Sequence, residues 1–244
     1  MRRLLPFLLI ALAFSQSAEA KTRKPTKAEQ AAAEAKARLD GEVAAVRGAA
    51  AAQVKAIQTL DDDPLGPQLN AVIAYNPNAA YEAGLLAQTG RLRGKTVLIK
   101  DNIETRDFPT TAGSLSLAGN QTGRDAPLVA RIRADGGVIL GKTNLSEWAN
   151  IRSPASSSGW SGVGGQTRNP HATDRSPCGS SSGNGAAVAA GMAWGAVGTE
   201  TDGSITCPAS INGIVGFKPT VGLVSRGFIV PISHSQDTAG PRSR

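Results

Sequence analysis

Few residues in this chain could do covalent chemistry. Only two histidines, His171 and His234, occur among its 244 residues, the first in a polar NPHATDR stretch and the second in PISHSQD. A serine nucleophile usually takes its base from a histidine steadied by a carboxylate. Nothing in the sequence ties either histidine to a reactive serine, so both read as surface or hydrogen-bonded side chains. A base of another kind is offered by Lys100, at the end of the apolar run Thr96-Val97-Leu98-Ile99. A lysine that loses hydration at the end of a buried strand is pushed toward its neutral form, and a neutral amine accepts a proton. Standing alone, the same residue reads rather as a strand-end lysine reaching to solvent.

Two glycine-rich turns carry the serines that such a base could serve. From Ser153 to Gly185 the chain is rich in Ser and Gly, from Ala186 to Ala196 it becomes an Ala/Val helix, and TDGSITCPAS follows. A flexible linker has a similar composition. A linker does not usually run straight into a buried helix and then a second glycine turn, so the stretch reads as an active-site loop. The pattern GGVILGKT, Gly136 to Thr143, matches a phosphate-cradling loop in letters only. Such a loop needs a strand before it and small residues within it; here a helix precedes, and Val138-Ile139-Leu140 is itself a strand. The spacing of Cys and His offers no metal site. The two cysteines, Cys178 and Cys207, could form one disulfide, but packed free thiols are the favoured expectation.

The elements that must position these residues alternate. Thr26 to Leu60 is rich in Ala, Glu, Lys and Gln, a helical arm or an equally plausible tether, ended by DDDPLGP. Helical stretches are expected at Ala79 to Gln88 and Ala126 to Ala134, buried strands at Thr96 to Lys100 and Val138 to Leu140, and a helix start near Asn144 to Trp148. This alternation predicts an α/β fold with a mixed, largely parallel sheet and helices on both faces.

Composition sets the outer limits. With 41% hydrophobic and 18% charged residues, the chain can bury one sizeable core. Arg2 and Arg3, the apolar run Leu4 to Phe14 and Ala18-Glu19-Ala20 read as a signal peptide over residues 1–20, cleaved after Ala20. The run is too short to span a bilayer. The expected mature protein is exported, periplasmic or secreted, without a membrane partner. Cleavage removes Arg2, Arg3 and Glu19 and leaves 24 Lys+Arg against 18 Asp+Glu, a net charge of +6 in place of +7. With 4% aromatics and no basic stripe, a nucleic-acid partner is not expected.

Lys100 does not stand alone. VLIKDNIET, SPCGSSSGNGAAVAAG, GTETDGSITCPASINGIVGFKPTVGLVSR and PISHSQDTAGP resemble, in order, the signature segments of the amidase signature family. LNAVIAYNP, TTAGS and GKTNLSEWAN resemble further family segments, so the likeness runs from about Leu60 onward, and the variants PCGSSSG and GTETDGSITCPA are most similar to bacterial peptide amidases. The resemblance implies the amidase signature fold over residues 61–244, preceded by an arm over 21–60, and a Ser-Ser-Lys triad. In that triad Ser204 attacks an amide carbonyl, Ser180 relays the proton and neutral Lys100 is the final base. It further implies a cis peptide at Ser180, an oxyanion hole from the backbone amides of Thr201, Asp202, Gly203 and Ser204, an acyl-enzyme, an amide or peptide-amide substrate, and no cofactor. Three departures stand out: Ser182 where many relatives have glycine, Thr206 where many have an arginine, and an ending at Arg244, well short of the family domain. The alternatives are a catalytically inactive fragment, hydrolysis of a fatty-acyl or aryl amide, and the amidotransferase component that works on misacylated tRNA, which export disfavours.

Overall fold

The computed structural model describes residues 24–244; the expected signal peptide and its cleavage point lie outside them. The described chain begins with helix α1, Lys27–Ile57. Its start is a reciprocal cap: the Glu29 amide donates to Thr26 Oγ1 at 3.2 Å, and the Thr26 amide donates to Glu29 Oε2 at 2.6 Å. Exposed pairs such as Lys36 with Asp40 lace its first turns. The helix straddles two compact units, Met1–Glu42 and Val43–Arg244. From Val43 onward, Val46, Ala50, Val54 and Ile57 recur at helical spacing and pack into the core of the second unit, whereas the earlier turns are exposed.

One π-helical turn, Gln58–Asp62, ends α1 and turns Asp61 inward. There its carboxylate accepts the amides of Ala71 at 2.9 Å and Val72 at 2.7 Å, anchoring the start of strand β1, Val72–Tyr75. Helix α2 (Ala79–Leu86), strand β2 (Thr96–Lys100), helix α3 (Pro127–Ala134) and strand β3 (Val138–Thr143) follow. A two-stranded ribbon, β4 (Trp160–Ser161) with β5 (Gly165–Gln166), interrupts the serine-rich stretch. Then come helix α4 (Ser182–Ala189), strand β6 (Gly195–Glu200), helix α5 (Thr206–Ile211) and strands β7 (Val215–Gly216) and β8 (Thr238–Ser243).

The main sheet has the order β1-β3-β2-β6-β8-β7. Its centre is parallel, β3 with β2 and β2 with β6; the pairings of β1, β7 and β8 are antiparallel. Helices cover both faces. Leu98, Val138, Leu140 and Ala196 pack with α1, α2 and α4, while Val97, Ile99, Ile139 and Val197 pack with α3, the side-to-side alternation of strands buried on both faces. Two expectations shift. The Ala/Val helix begins at Ser182 and stops at Ala189, because Gly191, at φ +79°, turns the chain into β6. Near Asn144–Trp148 there is no α-helix but a short turn over Glu147–Asn150, with Trp148 and Ala149 left-handed.

The GGVILGKT segment is strand β3, preceded by α3. Between β2 and β3 the register slips: Val97 faces Ile139 and Leu98 faces Gly141, so Leu140 is an extra, bulged residue. After the bulge Lys142 falls opposite Ile99 and takes that face of the sheet. Its ammonium is buried, 3.1 Å from Asp101 Oδ1, and donates to Thr110 Oγ1 at 2.9 Å and Pro109 O at 3.0 Å. Burial lowers its pKa, and the Asp101 charge pulls it back up. Removing one member of a buried pair strands the other. Lys142→Met is therefore expected to destabilise the fold by about 3–5 kcal/mol, read as a lowered urea midpoint.

Candidate active site

Three loops at the carboxyl ends of β2 and β6 meet around Lys100. The lysine closes β2 and is fully buried. Ser180 lies just before α4, and Ser204 lies on the turn between β6 and α5. The structure brings all three side chains together. Lys100 Nζ donates to Ser180 Oγ at 2.8 Å, and Ser180 Oγ donates to Ser204 Oγ at 3.0 Å. Ser180 is fully enclosed, and Ser204 keeps 9% of its surface exposed. The Gly179–Ser180 peptide is cis.

Two buried lysines end neighbouring strands, and their surroundings separate them. Lys142 has a carboxylate partner; Lys100 has no ion pair among the described residues and is met by neutral groups. Its Nζ donates to Thr199 Oγ1 at 2.9 Å and to Thr199 O at 3.5 Å, and Asn102 Nδ2 donates to the same hydroxyl at 3.0 Å. Burial first, and then the charge of Arg242, drive the Lys100 pKa well below the ordinary lysine value, against weaker pulls from Glu200 and Asp237. A neutral amine has two N–H groups and one lone pair. In its neutral form, with both N–H groups on Thr199, the amine turns its lone pair to the Ser180 hydroxyl, and the 2.8 Å bond then runs the other way.

The turn that carries Ser204 is braced from below. The Glu200 carboxylate accepts the amides of Ile205 at 2.6 Å and Thr206 at 2.9 Å, at the start of α5. Burial works to raise its pKa; the amides of Thr206, Ile205 and Gly203, with Lys218, outweigh that and hold it lowered. From β8, Arg242 Nη2 donates to Ser204 O at 2.7 Å and Nε to Ile205 O at 3.3 Å. Enclosure brings the Arg242 pKa down to about 9. The four positions expected to form an oxyanion hole, Thr201 to Ser204, lie on this turn, with Gly203 at φ +75° as the residue that lets it reverse. The Thr201 hydroxyl donates to Asp237 Oδ1 at 2.6 Å.

Both histidines stay outside the relay. His171 is exposed, its Nε2 3.0 Å from Asn212 O, and His234 is exposed beside Arg226. A cavity of about 340 Å³ reaches the lysine side of the site through Asn102, Thr199 and Thr201, with Ile229, Ile232 and Asp237 on its other walls. The cysteines correct the expectation of free thiols: Cys178 and Cys207 form a disulfide with Cα atoms 6.0 Å apart. Their distance along the chain hid this, because folding Ser180 against Ser204 brings the flanking residues together. Among the described residues no group of three or more His, Cys, Asp or Glu could hold a metal, and no helix is long and apolar enough to cross a membrane.

The sequence matches the Amidase family over residues 64–244. The chain belongs to the amidase signature family. Among curated relatives it is 48% identical over 190 residues to a probable amidase of Arabidopsis thaliana, covering 74% of this chain and 37% of that protein. It is 46% identical over 184 residues to a putative amidase of Arthroderma benhamiae, covering 72% and 31%. Among solved structures it is similar to the native peptide amidase of Stenotrophomonas maltophilia, with a TM-score of 0.78 and 55% identity over 82% of this chain and 42% of that one. The chain thus spans about two fifths of the length of such relatives or less.

Within this amidase fold, Thr199, Asn102, Glu200 and Arg242 are site residues that sequence reasoning missed. Thr199 and Glu200 stand just before the glycine turn and Asn102 two residues after Lys100, a hint of shared strand ends. Arg242 carried no signal, since its strand was not foreseen. Arg242→Met removes a positive charge that lowers the Lys100 pKa. The pH at which Ser204 reacts half-maximally with a fluorophosphonate is therefore expected to move up in this variant. In the unaltered chain, reactivity should rise with pH and level off below the ordinary lysine pKa of about 10.4.

Proposed function

We propose that this chain is an exported serine amidohydrolase that converts a carboxamide, in the first instance a C-terminal peptide amide, to the acid and ammonia. The observation that carries the proposal is the continuous hydrogen-bonded line from Lys100 through Ser180 to Ser204, ending in an amine whose pKa burial drives well below the ordinary lysine value. In the working direction the hydroxyl protons point the other way along that line. Ser204 Oγ adds to the amide carbonyl as its proton passes to Ser180 Oγ, and the Ser180 proton passes to Lys100 Nζ. The negative charge on the carbonyl oxygen is met by backbone amides of the turn Thr201 to Ser204, each worth about 2.7–4 kcal/mol in sites of this kind. The lysinium then returns the proton through Ser180 to the leaving nitrogen, and ammonia departs. Water enters, gives its proton to the same line and releases the acid from Ser204.

The peptide amide is favoured over other amides by the 55% identity to a solved peptide amidase. Thr206 supports the same choice, because an arginine at that position would suit a small carboxylate-bearing substrate and a threonine does not. Export is supported by the basic, apolar and small-residue order of the first 20 residues.

Ammonia release from a C-terminally amidated dipeptide tests the reading. The chain should release it, Ser204→Ala should lower the rate by about 10⁴-fold or more, and Lys100→Ala should cripple turnover at every pH. Full activity of Lys100→Ala at neutral pH would reject the lysine as base. No ammonia from the unaltered chain, beside an active full-length relative, would reject turnover by this chain.

A further inference from the structure

The disulfide brackets the two serines. Cys178 stands two residues before Ser180, and Cys207 three residues after Ser204. The segment it holds on the Ser180 side is neither helix nor strand, and Cys178 itself is left-handed at φ +59°. Besides the Ser180–Ser204 bond, three hydrogen bonds tie the Ser180 segment to the Ser204 turn and its flanks, one of them from Ser181 Oγ to Thr199 O at 3.0 Å. The Ser181 amide donates to Ser204 O at a long 3.3 Å, and Asn212 Nδ2 donates to Pro177 O at 2.9 Å. On the other side the Cys207 amide donates to Gly203 O at 2.8 Å, so the cross-link pulls directly on the nucleophile turn.

We propose that the Cys178–Cys207 disulfide positions the proton relay, holding Ser180 Oγ and Ser204 Oγ at hydrogen-bond distance, so that the relay is assembled in the oxidised chain and loosened in the reduced one. This rests on the reading of Ser180 and Ser204 given above. The switch is a thiol–disulfide exchange with a dithiol. One thiolate attacks a cysteine sulfur and the Sγ–Sγ bond breaks, giving a mixed disulfide. The second thiol of the reductant displaces the other cysteine, leaving two protein thiols and an oxidised dithiol, a transfer of two electrons and two protons. Both cysteines are half-buried, open enough for a small reductant. The disulfide touches neither hydroxyl, so loosening it moves the reacting groups without removing one. A displacement of about 1 Å among reacting groups costs on the order of a hundredfold in rate. In an exported protein the cross-link persists only in the oxidising compartment, and the relay would be completed there.

The test uses the full chain, oxidised and after dithiothreitol, together with the Cys178→Ser/Cys207→Ser double variant. Three readouts are taken: alkylation of thiols by intact mass, hydrogen exchange by peptide, and the rate of Ser204 labelling by a fluorophosphonate. Reduction should speed exchange in peptides covering 176–182 and 203–208 while leaving those covering β2 and β3 unchanged. Labelling should slow by between about tenfold and a hundredfold and recover on reoxidation with glutathione disulfide. With an amidated dipeptide as substrate, kcat should fall while KM holds within about twofold. Free thiols in the air-oxidised chain, or unchanged exchange in both segments on reduction, would overturn the proposal. So would faster exchange throughout the sheet, which would make the disulfide a general brace. An oxidised chain that never labels would reject Ser204 as nucleophile, and the exchange data alone would then decide the role of the disulfide. Reduction of the folded chain keeps the question answerable if the double variant does not fold.

Discussion

The site depends on one electrostatic constraint: the amine of Lys100 is enclosed with no carboxylate to neutralise it. A charged ammonium there would have to give up its water for a hydroxyl and a carbonyl, and Coulomb repulsion from Arg242 adds to that cost. The enclosure therefore lowers the pKa and shifts the balance toward the neutral form, which carries a lone pair. The neighbouring groups fit that form. Thr199 takes N–H bonds, Asn102 fixes the Thr199 hydroxyl, and the serines continue the line outward to the one member that solvent reaches. Glu200, the nearby carboxylate that could have paired with the lysine, spends its oxygens on the backbone amides that start α5.

What the sequence made legible was chemistry carried by strand ends and glycine turns. Lys100 was readable because a short β-branched run ended on it, and Ser180 and Ser204 because glycine-rich turns flank a helix. The mixed sheet followed from alternation, though β6 did not: its residues, Gly195 to Glu200, are mostly small and pass for the tail of an Ala-rich helix. Strand β8 was hidden more thoroughly, because Gly240 and Pro241 weaken any strand signal while its partners are supplied by β6 and β7. The disulfide and the Arg242 brace belong to the same class of miss. Each arises from residues brought together by the closure of the sheet, at distances along the chain that no local pattern records.

The family relation and the geometry limit each other usefully. Lys100, Ser180 and Ser204 all lie within the matched residues 64–244, so the hydrogen-bonded line that joins them is drawn wholly inside this chain. The surface beyond is less finished. Val215, Phe217 and Leu223, on and after edge strand β7, are largely exposed, an apolar margin beside an unpaired strand edge. Such margins favour association with other chains.

The bulge at Leu140 has a consequence for the two lysines. Without that extra residue, the alternation along β3 would turn Lys142 toward the side of the sheet on which Lys100 points. Two amines would then compete for one enclosure, and Asp101 would lose its counter-charge. With it, the two amines lie on opposite faces of the sheet: Lys142 paired with Asp101 on one, Lys100 without an ion pair among the described residues on the other. A single inserted residue thus decides which of two chemically identical side chains meets a carboxylate and which meets neutral hydroxyl and carbonyl groups.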